Sequence, residues 1–168
     1  QYSLHIEKND GQLDHREYLA EVNGEDPRMK FIEQMIYDCG ESGDVLVYNI
    51  GFERGKLFDL IEFSPKHKLP ILNIINRLKD LMVPFRDRVY YTPSMQGSYS
   101  IKKVLPAMVP ELSYKDLNIK EGGTASNTFS QMVQGNFEGD KLKTKKDLLA
   151  YCEMDTFAMV KILEVLRR

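Results

Sequence analysis

Apolar and polar residues alternate at the start of the chain, where every second residue over positions 2–6 is apolar. A period of two predicts a β-strand. The turn signal "NDG" at 9–11 predicts a hairpin, with a second strand from about 16 to 21. We therefore expect the chain to open with two antiparallel strands.

Helical spacing replaces this alternation after Pro27. The apolar stripe from Met29 to Cys39 predicts an amphipathic helix that Gly40 ends. The same reasoning predicts, in chain order, a buried strand "DVLVYNI", a helix "GFERGKLFDLIEF", a helix from about 66 to 81, a short helix "IKKVLPAMV", a helix that includes Phe129 and Met132, and a last helix with a capping box at Thr144 and Asp147. This order of elements predicts an α/β or α+β fold with a mixed sheet.

The length and charge of the chain limit its organisation and its partners. A chain of 168 residues with 42% hydrophobic content suits one domain, which we expect to span residues 1–168. The net charge of -2 provides no overall basic field, so contact with nucleic acid would depend on a local patch or on metal ions. The chain begins with Gln1 rather than Met and enters a strand at once, which indicates a domain cut from a longer protein.

The cysteines and histidines are few. Cys39 and Cys152 lie on apolar helical positions and predict buried thiols in a reducing compartment. No apolar run is long enough to span a bilayer, so we expect a cytoplasmic protein that does not bind membranes. His5, His15 and His67 show no metal-ligand spacing and are interpreted as strand, loop and helix-surface residues.

One carboxylate lies on the apolar stripe of the last helix. Asp155 falls within the helical pattern that links Cys152 to Leu166, and Tyr151 precedes it by one turn on the same face. Glu53 lies where a buried strand leads into a helix, the place where α/β sheets collect reactive groups. Two such carboxylates together predict a hard divalent ion. The alternative is that Asp155 belongs to the polar surface of a helix whose apolar stripe is wider.

These residues resemble the motifs of a known enzyme superfamily. The segment "VYNIGFE" is similar to the second motif of the DnaQ-like, DEDD-type 3′-to-5′ exonucleases, in which an Asn or His and a Phe precede an acidic metal ligand. The segment "YCEMD" resembles their third motif, and Tyr151 after Ala150 matches the tyrosine subtype. The segment "GSYSIKKVLPAMVP" resembles the helix between the two motifs. As a whole, the chain resembles an uncharacterised bacterial family, domain of unknown function 2779, which is assigned to this superfamily.

The resemblance implies a fold and a reaction. The fold would be ribonuclease H-like, with a mixed sheet flanked by helices. The reaction would be hydrolysis of phosphodiesters at the 3′ ends of single-stranded DNA or RNA, with two Mg²⁺ or Mn²⁺ ions. Glu53 and Asp155 are implied as metal ligands that come together at the sheet edge, and Tyr151 as the residue that orients the nucleophilic water. Asn49 and Phe52 are implied to shape the substrate site.

The chain departs from the superfamily pattern at two places. The first motif, Asp-x-Glu, is absent, so two of the four implied metal ligands are missing. The first strand of the fold would then lie upstream of Gln1, and the fragment would bind ions weakly and cleave nothing. The competing interpretation is an inactive relative that binds nucleic acid or protein. Glu53 also stands where the superfamily usually has Asp.

Overall fold

The computed structural model describes all 168 residues, from Gln1 to Arg168. Four short strands lie among seven α-helices, and their bounds are β1 Tyr2–Glu7, β2 Leu13–Tyr18, α1 Arg28–Cys39, β3 Val45–Val47, α2 Ile50–Phe63, α3 Lys68–Asn76, β4 Leu78–Asp80, α4 Val83–Arg86, α5 Ile101–Met108, α6 Gly122–Gln134 and α7 Lys141–Leu166. The fold is mixed α/β, which confirms the predicted class, and helices account for most of it.

The strands form two separate sheets of two strands each. β1 and β2 are antiparallel, with Glu7 opposite Leu13, whereas β3 and β4 are parallel, with Val47 opposite Asp80. The sequence predicted one mixed sheet instead. That prediction was wrong because the apolar run "DVLVYNI" contributes only three residues to a strand, and one neighbouring strand pairs with it.

The chain divides into two compact units. One unit, named here the hairpin unit, comprises residues 1–27 and 114–157 and contains β1, β2, α6 and most of α7. The other, the parallel-sheet unit, comprises residues 28–113 and 158–168 and contains β3, β4 and the first five helices. The single domain expected over 1–168 stays a prediction.

The hairpin forms because its turn residues suit a tight reversal. Gly11 has φ 83°, a left-handed conformation that glycine adopts without steric cost, and its N–H donates to the Lys8 carbonyl at 2.9 Å. The Lys8 N–H in turn donates to the Gln12 carbonyl at 2.9 Å. β2 therefore begins at Leu13, three residues earlier than predicted, because the chain has already reversed there.

The parallel-sheet unit confirms the first predicted helix and corrects the third. α1 ends at Cys39, and Gly40 follows it with φ 59°. The helix predicted over 66–81 ends at Asn76, and residues 78–80 form β4 instead. Leu78 fits helical spacing, but it pairs with Val45 in the parallel ladder, and such long-range pairing overrides local pattern.

α7 is capped by a residue that the sequence did not indicate. The Asp140 carboxylate accepts hydrogen bonds from the Leu142 and Lys143 N–H groups at 2.9 and 3.0 Å, so the capping box predicted at Thr144 was wrong. The buried residues of α7 recur at intervals of three, seven and four along one face: Leu148, Tyr151, Ala158 and Ile162. Asp155 occupies the position on this face between Tyr151 and Ala158.

None of the helices combines the length and the apolar character needed to cross a membrane.

Candidate active-site residues

Asp155 lies beside two phenols in the hairpin unit. The Tyr114 hydroxyl donates to Asp155 Oδ1 at 2.7 Å, a short bond of the kind that an ionised acceptor makes. Tyr151, one turn earlier on α7, packs against Tyr114 with the ring centroids 6.3 Å apart and the planes tilted by 55°. Asp155 is partly buried, and Tyr114 and Tyr151 are buried. The carboxylate is therefore held in a fixed place on the buried face of α7.

Burial raises the pKa of Tyr151 well above its usual value, and the charge of Asp155 and a hydrogen bond with Asp155 raise it further. The nearby Glu121 adds to the effect. Tyr151 therefore keeps its proton at neutral pH and acts as a hydrogen-bonding group rather than as a base. Gly122, the first residue of α6, lies close to this hydroxyl, since a Cβ atom there would be 3.5 Å from it.

Asn49, Phe52 and Glu53 lie together at the junction of β3 and α2 in the parallel-sheet unit. Asn49 precedes α2 with φ 84° and ψ 72°, a left-handed conformation that is strained for most residues and tolerated by Asn. Phe52 is 60% exposed. Glu53 lies in the first turn of α2, and although the residue has other contacts, its Oε2 atom is buried and accepts no hydrogen bond.

Asp80 organises this junction, and sequence reasoning missed it. Its Oδ1 accepts hydrogen bonds from the N–H groups of Asn49 and Met82 at 3.1 and 3.0 Å, and its Oδ2 accepts one from Ile50 at 3.2 Å. Asp80 thereby satisfies N–H groups at the start of α2 and holds Asn49 in its strained conformation. The signal for this role is an aspartate at the end of a strand, and the apolar pattern hides it because that pattern predicts one helix over residues 66–81.

The structure groups the predicted site residues in two sets. Tyr151 and Asp155 share one face of α7 in the hairpin unit, whereas Asn49, Phe52 and Glu53 share the β3–α2 junction in the parallel-sheet unit. Each set contains a carboxylate, the ligand type that Mg²⁺ and Mn²⁺ prefer, so the residues fit the ions that the resemblance implies. The ligand roles of Glu53 and Asp155 stay predictions.

One family model matches this chain. The family described as "Domain of unknown function (DUF2779)" matches residues 1–100, which is more than half of the sequence. The chain belongs to this family. The matched residues of this DUF2779 chain include the hairpin, the β3–α2 junction and Asp80, whereas α7 with Tyr151 and Asp155 lies beyond them. Membership of the DnaQ-like superfamily stays a prediction.

One curated protein similar to the DUF2779 chain is "Uncharacterized protein UU173" of Ureaplasma parvum serovar 3. It is 29% identical over 138 residues, an alignment that covers 70% of this chain. The chain spans only 19% of the length of that relative. No solved structure matches the chain.

Proposed function

We propose that this chain forms part of a metal-dependent 3′-to-5′ exonuclease that hydrolyses terminal phosphodiesters of single-stranded DNA or RNA. The proposal includes membership of the DnaQ-like superfamily and a ribonuclease H-like arrangement completed by an upstream strand with an Asp-x-Glu motif. It would act in the cytoplasm.

The observation that carries the proposal is the position of Asp155. A carboxylate on the buried face of a helix is costly unless it is hydrogen-bonded or neutralised. Asp155 accepts a 2.7 Å hydrogen bond from Tyr114, so a protein donor fixes the orientation of its partly buried carboxylate. Tyr151 precedes it by four residues and keeps its proton, which is the Tyr-x-x-x-Asp arrangement of the tyrosine subtype.

The chemistry divides among four side chains. Two Mg²⁺ or Mn²⁺ ions, when bound, would supply a hydroxide for attack on the phosphorus and would stabilise the leaving 3′ oxygen. The carboxylates of Asp155 and Glu53 are the proposed ligands. The Tyr151 hydroxyl, whose proton is used in its hydrogen bond with the Asp155 carboxylate, would accept a hydrogen bond from the attacking water and so orient it. Phe52, which is 60% exposed, would stack on the terminal base.

Substrate would also meet positive partial charge near Tyr151. α6 starts at Gly122 beside the Tyr151 hydroxyl, and the amino end of a helix attracts phosphate through its N–H groups. Glu121, immediately before α6, opposes this attraction with its negative charge. Ions held by the carboxylates would offset that repulsion, so we expect oligonucleotide binding to increase with Mg²⁺.

The test is a nuclease time course with a 5′-labelled single-stranded oligonucleotide, Mg²⁺ and a longer polypeptide that includes the predicted upstream Asp-x-Glu strand. Stepwise shortening from the 3′ end is expected, and it should stop when EDTA is added. Asp155→Asn keeps the shape of the side chain but removes the charge, so activity should fall by several orders of magnitude.

The matched control is Asp147→Asn on the same helix. The Asp147 carboxylate accepts a 3.0 Å hydrogen bond from Asn118, which an amide oxygen can also accept, so this variant should keep full activity. Equal activity of Asp155→Asn and the unmodified protein would remove Asp155 from the mechanism and with it the exonuclease proposal.

A second candidate is an inactive nucleic-acid or protein-binding module of the same fold. The 2.7 Å bond from Tyr114 favours it, because that bond stabilises the Asp155 carboxylate without any ion. Binding of the labelled oligonucleotide without cleavage by the longer polypeptide, with the same affinity in EDTA as in Mg²⁺, would select this candidate over the enzyme.

A further inference from the structure

Two histidines face each other across the opening hairpin. His5 of β1 is the cross-strand partner of His15 of β2, and their ring centroids lie 4.6 Å apart with the planes tilted by 31°. Spacing along the chain does not reveal this pair, because the antiparallel register alone brings positions ten residues apart together. His15 lies in β2, so the prediction that it is a loop residue is wrong.

A carboxylate from α7 completes a group of three potential metal ligands. Glu153 Oε1 lies 4.0 Å from His15 Nδ1, and one ligand atom from each of His5, His15 and Glu153 lies within 4.8 Å of the other two. All three residues belong to the hairpin unit. The Glu153 side chain is 51% exposed and that of His15 is 27% exposed, so solvent and ions reach the group.

Hydrogen bonds to two hydroxyl groups determine which nitrogens of the His5 and His15 rings carry protons. The Thr156 hydroxyl donates its only proton to the Glu153 carbonyl at 3.1 Å, so it must accept from its other two partners. Those partners are His5 Nδ1 at 2.9 Å and the Ser3 hydroxyl at 2.7 Å. Since the Ser3 proton is used in this way, Ser3 accepts from His15 Nε2 at 2.9 Å.

This hydrogen-bond chain leaves one lone pair on each imidazole. His5 is protonated on Nδ1 and His15 on Nε2, so the lone pairs lie on His5 Nε2 and on His15 Nδ1. His15 Nδ1 is the atom 4.0 Å from Glu153. Histidine ligands of metals commonly donate their other N–H to an oxygen acceptor, which fixes the tautomer and the orientation of the ring.

We propose that His5, His15 and Glu153 bind a transition-metal dication of the Zn²⁺ type. Two imidazoles and one carboxylate suit Zn²⁺ rather than Mg²⁺, which prefers oxygen ligands alone. Tetrahedral ligands around Zn²⁺ lie roughly 3.3 Å apart. Atoms within 4.8 Å of one another must therefore close by up to about 1.5 Å, which requires small movements of the two rings as well as of the exposed Glu153 side chain. Three protein ligands leave the fourth position to water.

The charge of the group suits a dication. Glu153 supplies a carboxylate, and the Thr156 and Ser3 hydroxyls that hydrogen-bond the two rings add no charge. The bound ion would clamp the hairpin to α7 two residues before Asp155, and this inference does not depend on the exonuclease proposal.

The experiment measures Zn²⁺ binding to the full 168-residue chain by competition with a chromophoric chelator at neutral pH. One ion per chain is expected. His15→Gln and Glu153→Gln should each weaken binding at least about tenfold. The control His67→Gln changes a histidine that contacts Ser64 and Glu33 in the parallel-sheet unit, and it should leave binding unchanged. Circular dichroism of the metal-free variants verifies that they remain folded.

Thr156 is the positioning residue, and it has its own test. Thr156→Val removes the acceptor for His5 and should weaken Zn²⁺ binding about 10- to 100-fold, whereas Thr156→Ser should restore it. Substitution with Co²⁺ reports the ligand type, because a thiolate ligand produces a charge-transfer band that imidazole and carboxylate do not.

Three results would overturn the metal site. In the first, the unmodified chain does not bind Zn²⁺. In the second, His15→Gln and Glu153→Gln bind Zn²⁺ as tightly as the unmodified chain. In the third, the Co²⁺ form shows a thiolate band, and Cys152→Ser abolishes both the band and the binding. Cys152 lies beside Glu153, and burial, followed by the charge of Asp155, raises the pKa of its thiol to about 11, which disfavours the thiolate.

Discussion

Two aspartates in this chain receive their hydrogen bonds from different kinds of donor. Asp80, in the parallel-sheet unit, accepts from the backbone N–H groups of Asn49, Ile50 and Met82. Asp155, in the hairpin unit, accepts from the Tyr114 side chain and lies one turn after Tyr151. Main-chain donors tie a carboxylate to the path of the chain, whereas side-chain donors tie it to a cluster of functional groups.

This difference distinguishes a carboxylate that stabilises the fold, Asp80, from one that is proposed to act in catalysis, Asp155. Removing Asp80 leaves the start of α2 without acceptors, so its loss should be felt in folding. Asp155→Asn removes the charge but keeps an oxygen that can accept the Tyr114 hydrogen bond, so its effect should be felt in the chemistry rather than in folding. Variants at these two places can therefore break or sharpen the distinction.

The largest effect expected in this comparison is on catalysis. Tyr151→Phe keeps the ring and removes the hydroxyl that orients water, so the nuclease rate of the longer polypeptide should fall roughly 10²- to 10⁴-fold. A single-turnover time course measures this rate, and an unchanged rate would show that Tyr151 is a packing residue only.

Loss of the Tyr151 hydroxyl should also flatten the pH dependence of the free energy of unfolding above about pH 10. The raised pKa of Tyr151 means that the folded state retains a proton there longer than the unfolded state, and stability falls as the pH rises.

A smaller effect is expected from Asp80→Ala, which leaves three N–H groups without their acceptor. The free energy of unfolding should fall by about 2–3 kcal/mol, measured by urea denaturation. The control is Asp87→Ala, because Asp87 is exposed and pairs only with its neighbour Arg86; this variant should unfold at the same urea concentration as the unmodified chain. Equal stability of Asp80→Ala and the control would refute the structural role of Asp80.

The smallest effect concerns the strained residue that Asp80 holds. Asn49→Ala places a residue with lower tolerance for positive φ at φ 84° and should lower the free energy of unfolding by about 1 kcal/mol. Asn49→Gly accepts this conformation and should leave stability nearly unchanged. Thermal melts of both variants measure the difference, and equal melting temperatures would mean that the junction can relax.

The sequence pattern predicted those elements that depend on residues close together in the chain. The hairpin follows from "NDG", α1 follows from its apolar stripe and Gly40, and α7 follows from helical spacing that also located Tyr151 beside Asp155. The predicted apolar stripe of α7 was wrong in part, because Tyr151 and Ala158 are buried whereas Cys152 is only half-buried.

The local sequence pattern could not predict contacts between residues that are distant in sequence. Tyr114 reaches Asp155 across 41 residues, Asp80 reaches Asn49 across 31, and His5 meets His15 only through the hairpin register. Leu78 shows the same limit, because an apolar residue at helical spacing also suits a strand, and its pairing with Val45 decided the outcome. The ligand roles of Glu53 and Asp155 come from motif resemblance and stay predictions.

The most direct test applies one isosteric change to both aspartates in the 168-residue chain. The free energies of unfolding of Asp155→Asn and Asp80→Asn are measured by urea denaturation, without added metal. Asp155→Asn should stay within about 1 kcal/mol of the unmodified chain, because Tyr114 can still donate to the amide oxygen. Asp80→Asn should lose more, since its amide group cannot accept from the N–H donors on both oxygens. A loss at Asp155 as large as that at Asp80 would show that Asp155 is a structural carboxylate and would contradict its proposed role in catalysis.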